Sequence, residues 1–267
     1  MALALQFARA EKSPATRRAY RSDFELFRKW CAVRKLNALP ATPLTLATFL
    51  ASEAKRGIRP SSLERRVFGI TYAHLLASHK PPGQSEAVKA TMRGIRRAIG
   101  TAPNRKQALT AERVRVIAKL TPTNLIGLRD RALLLISFAG AFRRSELVRL
   151  DLVDIRETES GLLVKIRASK TDQEHRGHVI GIAPGKAACL IKALKIWLAA
   201  AKITNGPIFR PIFKGGRVSA NRLSDRSVAE IVKAYAGRIG LDPMLFSAHS
   251  LRAGFLTSAA QGGASVR

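Results

Sequence analysis

The sequence predicts a mainly α protein with one small antiparallel β-hairpin, organised as two domains. Apolar residues recur at three- and four-residue spacing through most of the chain. β-Branched, partly alternating stretches occur only at Leu162–Arg167 and His178–Ile182, so strands are few. A polar, basic segment, Thr101-Ala102-Pro103-Asn104-Arg105-Lys106-Gln107, has no periodicity crossing it. It separates a helical domain over residues 1–101 from an α+β domain over 109–267, with 102–108 as linker.

A chain of 267 residues accommodates two domains of ordinary size, and 46% hydrophobic residues are enough to build their cores. Lys and Arg number 47 against 18 Asp and Glu, a formal net charge of +29. Self-repulsion of that size opposes compaction, so the excess points to a polyanionic partner: nucleic acid first, an anionic membrane second. No apolar run is long enough to cross a bilayer. The N-terminus lacks the basic leader and apolar stretch of a secretory signal. Cys31 and Cys189 lie far apart among apolar neighbours and read as buried thiols of a reducing compartment. The expected location is cytoplasmic, at the nucleoid.

Ser13-Pro14 reads as an N-cap followed by proline at the first helical position. Tyr20, Phe24, Phe27 and Cys31 then form an inward stripe, with Arg17, Arg18, Arg21 and Arg28 mostly off it. Thr42-Pro43 opens a second helix that turns Leu46, Phe49 and Leu50 inward. Ser61 or Ser62 caps a third, with Leu63, Val67, Ile70 and His74 as its buried row and Arg65 and Arg66 outside. After the break at Pro81-Pro82-Gly83, a fourth helix sets Val88, Thr91, Ile95 and Ile99 against Lys89, Arg93, Arg96 and Arg97. Singly, each Arg is a solvated helix face. As a set, with the linker's Arg105 and Lys106, they are too many for the nearby acids, and backbone phosphates are their natural counter-charge.

In the second domain a short helix holds Val114, Ile117 and Leu120, and an apolar core helix runs from about Leu125 to Gly140. Arg143 to Leu150 is a further turn or two. There Glu146 stands three residues from Arg143, either bracing its guanidinium or forming an ordinary intrahelical ion pair. Arg144 points elsewhere, to solvent or a phosphate. The two strands enclose a polar tip, Ala168 to Gly177, which carries Lys170. Its His175-x-x-His178 pair has no evident third ligand, so no metal site is expected. Pro184-Gly185 opens a long core helix through Trp197, and Ser224 caps another whose stripe includes Tyr235. The His249–Arg252 helix follows and stops at Gly262-Gly263.

Two stretches bear the chemistry. Ser247-Ala248-His249-Ser250-Leu251-Arg252-Ala253-Gly254 places His249 and Arg252 on one helix face. A guanidinium fork there suits two phosphate oxygens while an imidazole donates a hydrogen bond or moves a proton, but an isolated H-x-x-R reads first as an Arg at a helix start beside a core His. Gly140-Ala141-Phe142-Arg143-Arg144-Ser145-Glu146-Leu147 is the other. Together with Lys170 between them, these resemble the tyrosine recombinases, the phage integrase family. That family carries an Arg in a G-x-x-R-x-S-E-L setting, a Lys on a β-hairpin, then H-x-L-R. The resemblance extends over nearly the whole chain.

The resemblance implies a four-helix, SAM-like core-binding domain and a DNA breaking-rejoining catalytic domain. Arg143, Arg252 and His249 would stabilise the scissile phosphate, with Glu146 in support. Lys170 would protonate the leaving 5′-oxygen. The family's 3′-phosphotyrosine intermediate stores the phosphodiester energy, so neither cofactor nor metal is implied. Double-stranded DNA is the implied partner, bound by homo-oligomers in the family. The family's nucleophilic Tyr follows the H-x-L-R helix, and none follows here before Arg267. The expectation is therefore a recombinase chain that binds DNA without cleaving it. The alternative is a non-catalytic DNA-binding remnant or regulator.

Overall fold

The computed structural model describes residues 11–102, 105–167, 177–183 and 189–263. The chain divides into two compact units, Met1–Asn104 and Arg105–Arg267. It is mainly helical with a three-stranded antiparallel sheet. Among the described residues no helix is long and apolar enough to cross a membrane.

The first unit consists of α1 (Pro14–Val33), α2 (Pro43–Lys55), α3 (Pro60–Leu76) and α4 (Glu86–Ile99). Three of these open on proline, whose fixed φ suits the first helical turn and whose missing N–H costs nothing there. Ser13, Thr42 and Ser85 each accept a hydrogen bond from the amide three residues on. The third helix departs from expectation. Pro60 starts it before Ser61 or Ser62 can cap it, and no side chain closes its end. Phe27, Leu46, Phe49, Leu50, Leu63 and Ile70 are fully buried, with the Phe27 and Phe49 rings 5.1 Å apart. Cys31 is buried with them, and burial pushes its thiol up. The Cys189 side chain lies outside the described residues. His74 accepts from the Ala41 amide through Nε2 at 2.9 Å, and its Nδ1 lies 2.8 Å from the Ile70 carbonyl, so both ring nitrogens are used.

The acids of this unit are not spread evenly over its surface. Asp23 and Glu53 are buried; Arg65 reaches Asp23 from the surface, and Glu53 draws Arg66 inward. Arg65 donates to both Asp23 oxygens, at 2.8 and 3.0 Å. Arg66, expected on the outer face, is buried and paired with Glu53, so it is not available to a phosphate. The helical period places position 66 beside the inward row at 63 and 70, and Glu53 supplies the charge that lets a guanidinium remain there. Replacing Arg66 by Ala should therefore cost about 2 kcal/mol, because buried Glu53 loses one charged partner and keeps only the exposed Arg56, at 2.7 Å. Arg97→Ala, at an exposed site, should change stability by no more than about 0.5 kcal/mol. Chemical unfolding of the two variants checks this.

In the second unit, α5 (Ala111–Leu120) and α6 (Leu125–Ala139) precede the one-turn α7 (Arg144–Leu147). Strands β1 (Ile155–Thr158), β2 (Gly161–Ile166) and β3 (His178–Ile182) follow, then α8 (Cys189–Ala200), α9 (Asp225–Arg238) and α10 (His249–Gln261). Strand β1 was not expected. Its sequence, Ile-Arg-Glu-Thr, has one apolar residue and no alternation to read, and pairing with β2 in the register Ile155 to Val164 makes it a strand. A charged edge of this kind resists further strand addition. The β2–β3 pairing ends at Ile166 opposite His178. The core gathers around Trp197, Phe142, Phe209 and Phe246. Trp197 donates its indole N–H to the Ile208 carbonyl at 2.9 Å, which satisfies its polar atom inside the core.

Candidate functional site

The site is built outward from the end of α6. Gly140 closes that helix, and a side chain there would collide with the Phe142 ring, 2.2 Å from the position of its Cβ. With no Cβ in the way, the Phe142 ring folds back into the core and anchors the residue before Arg143. Between them Ala141 adopts φ +47°, a left-handed conformation unusual for a residue with a side chain.

Arg143 is the N-cap of α7. Glu146, almost wholly buried, reaches back to it twice. It accepts from the Arg143 backbone N–H at 2.9 Å and from Nη1 at 2.8 Å. Glu146 is thus both a helix cap and the brace of the Arg143 guanidinium, whose side chain keeps about a third of its surface open (32%). Leu147 and Leu150 fix the segment in the core. Arg144 turns away to Asp225 at 3.2 Å.

His249 and Arg252 occupy the first turn of α10. The His249 N–H donates to Ser247 Oγ at 3.2 Å, and the Ser247 N–H donates to Ser250 Oγ at 3.0 Å, so both hydroxyls serve the helix start. The His249 side chain is exposed. Arg252, half-buried, donates Nη1 to the Ala141 carbonyl at 2.8 Å. That bond spans 111 positions of sequence and joins the two stretches that sequence reading singled out. It leaves the rest of the Arg252 fork beside the turn that carries Arg143. Lys170 lies outside the described residues.

Tyr235 is 3% exposed, and burial and the Asp130 carboxylate push its phenol up to about 12, which opposes its ionisation as a nucleophile. Among the described residues no group of three His, Cys, Asp or Glu side chains is arranged to hold a metal ion.

The model of the phage integrase family matches residues 107–267. An integrase/recombinase xerD homolog from Selenomonas ruminantium is 42% identical over 264 residues, covering 95% of this chain and 76% of that protein. The chain belongs to the phage integrase family of tyrosine recombinases. Solved structures of this family share its fold. The lambda integrase dimer bound to a COC′ core site matches with a TM-score of 0.62 at 16% identity, over 96% of this chain and 67% of that one. XerH recombinase in its post-cleavage complex with palindromic difH matches with a TM-score of 0.59 at 18% identity, over 83% of this chain and 62% of that one.

Of the basic residues singled out in the first unit, Arg93 and Arg96 are ion-paired with Glu86 and Glu64, as Arg65 is with Asp23. Arg18, Arg21 and Arg97 are exposed, Arg17 is half-buried, and none of the four has an acidic partner among the described residues. Arg105 is exposed, while the Lys106 ammonium is bonded to the Met244 carbonyl. Arg222 was missed. It donates to the Val148 carbonyl at 2.7 Å, the Leu150 carbonyl at 3.3 Å and Asp151 at 2.7 Å, and so clamps the far end of the Arg143 segment. Nothing in its own neighbourhood of sequence signals that role.

Ala141 generates a direct prediction. Ala141→Gly should stabilise the protein by roughly 0.5–1 kcal/mol, the left-handed cost of about 1–2 less the added chain entropy of about 0.4–1. Ala141→Val should destabilise it. Denaturant midpoints measure both.

Proposed function

We propose that this protein is a DNA-binding component of site-specific recombination whose second unit grips the phosphate at which strands are cut and rejoined. Arg143 and Arg252 take the nonbridging oxygens, and His249 contributes a hydrogen bond or a proton transfer. The observation that supports this best is the Arg252 bond to the Ala141 carbonyl, which brings the second guanidinium to the turn holding the first. A guanidinium fork braced by a buried carboxylate is preorganised for phosphate, so little reorganisation accompanies the developing charge.

In the reaction of the family, a tyrosine oxygen attacks phosphorus and the P–O bond to the 5′-oxygen breaks. The leaving oxygen takes a proton, here from Lys170. Attack by a 5′-hydroxyl of the partner strand reverses these steps and frees the tyrosine. The protein stabilises the equatorial oxygens throughout. Arg17, Arg18, Arg21 and Arg97 of the first unit, and Arg105 at the start of the second, hold further phosphates. The structural relatives were captured on DNA, one of them as a dimer, and we assign this chain the same double-stranded partner and assembly on it.

Among residues 1–267 the tyrosines are Tyr20, Tyr72 and Tyr235. The rings of the first two meet at a tilt in the first unit with centres 5.6 Å apart, and the third is buried. None suits in-line attack. Residues 1–267 should therefore bind duplex DNA without forming a covalent adduct on nicked suicide substrates. Appending a tyrosine-bearing C-terminal segment from a relative should produce the adduct, and Arg143→Lys should then lower its rate about 100-fold or more, since an ammonium cannot replace the fork. An adduct formed by residues 1–267 and lost in Tyr235→Phe would overturn the assignment, as would a failure to bind DNA.

A further inference from the structure

The helix that carries His249 and Arg252 is weakly anchored by its own side chains. Leu251 is the one large side chain of α10 that is fully buried among the described residues, and Phe255 adds an edge-on contact to Phe138 at 5.9 Å. What runs along the helix instead is backbone from the first residues of the second unit. The Gln107 N–H donates to the Leu245 carbonyl at 2.8 Å, just before the helix. The Leu109 N–H donates to the Ser250 carbonyl at 2.9 Å. The Ala111 N–H donates to Ser258 Oγ at 3.0 Å. Between the last two, Gly254 leaves so little room that a Cβ would lie 1.7 Å from the Leu109 carbonyl oxygen. Ser250, Gly254 and Ser258 are four residues apart, a single stripe of small residues along α10 that this segment fills.

We propose that residues 105–111 are a positioning strap for the phosphate site, and that Gly254 and Ser258 are positioning residues acting through it. This rests on the phosphate-binding reading of Arg252 and His249. With little side-chain burial to hold α10 in register, the strap's hydrogen bonds and the Gly254 notch set its position together with the Arg252 bond to Ala141, and therefore where both side chains point. A shift of that turn of about 1 Å is enough to misplace a group that must meet a phosphate.

The test combines amide hydrogen exchange with salt-dependent binding of residues 1–267 to a short fluorescein-labelled duplex. Ser258→Ala and Gly254→Ala should both quicken exchange at Leu109 and reduce the slope of log affinity against log salt by about 0.9, the loss of one phosphate contact. Ser258→Thr keeps the hydroxyl and should restore both. Gly127→Ala is the steric control. Its Cβ would lie 2.0 Å from the Pro122 carbonyl, at the start of α6, and it should lower stability without altering the slope. If Gly254→Ala does not fold, the Ser258 pair decides alone. Unchanged Leu109 exchange in Ser258→Ala overturns the strap. So does quickened exchange with an unchanged slope, or an equal loss of slope in Gly127→Ala. Arg252→Ala, measured alongside, separates the two ideas. If it leaves the slope intact, the phosphate reading itself fails.

Discussion

One hydrogen bond organises the second unit: Arg252 Nη1 to the Ala141 carbonyl, 2.8 Å. It ties the start of α10 to the turn between α6 and α7 and presents two guanidinium groups from opposite ends of the unit's sequence. The turn is shaped to receive it. Gly140 makes space for the Phe142 ring, Ala141 takes a left-handed conformation, and Glu146 locks Arg143 by backbone and side chain together. Arg222 holds the far end of the same segment by its carbonyls. The site is therefore a short stretch of backbone clamped at both ends by arginines, with a third arginine projecting from its middle.

Charge is used differently in the first unit. The buried acids Asp23 and Glu53 take Arg65 and Arg66 as structural partners, and exposed acids pair with Arg93 and Arg96. Exposed pairs contribute little to stability and yield readily to a competing phosphate. A buried pair does not, because opening it strands a charge. The basic surface that remains for a polyanion is thus smaller than the count of arginines implies, and Arg18, Arg21 and Arg97 belong to it.

Much of the fold was legible because its signals are local. Proline after Ser13 and Thr42 fixed two helix starts, and periodicity found the inward stripes of α1, α6 and α9. Arg143, Glu146, His249 and Arg252 were legible as motifs. What escaped depends on partners distant in sequence. Strand β1 exists through its pairing with β2, Arg66 is inside because Glu53 is there, and Arg222 acts on carbonyls more than 70 positions away. The stripe of Ser250, Gly254 and Ser258 is visible in the sequence, but its occupant, the start of the second unit, is not.

The central claim is that Arg143 and Arg252 converge on one phosphate. A double-mutant cycle on duplex binding tests it most directly, with Arg143→Ala, Arg252→Ala and the pair measured across a salt series. Convergence predicts strong coupling: each single variant loses about one phosphate contact from the salt slope, and the double loses no more. Additive losses in affinity, with the slope falling by about twice as much in the double, would mean two separate phosphates and would contradict the site described here.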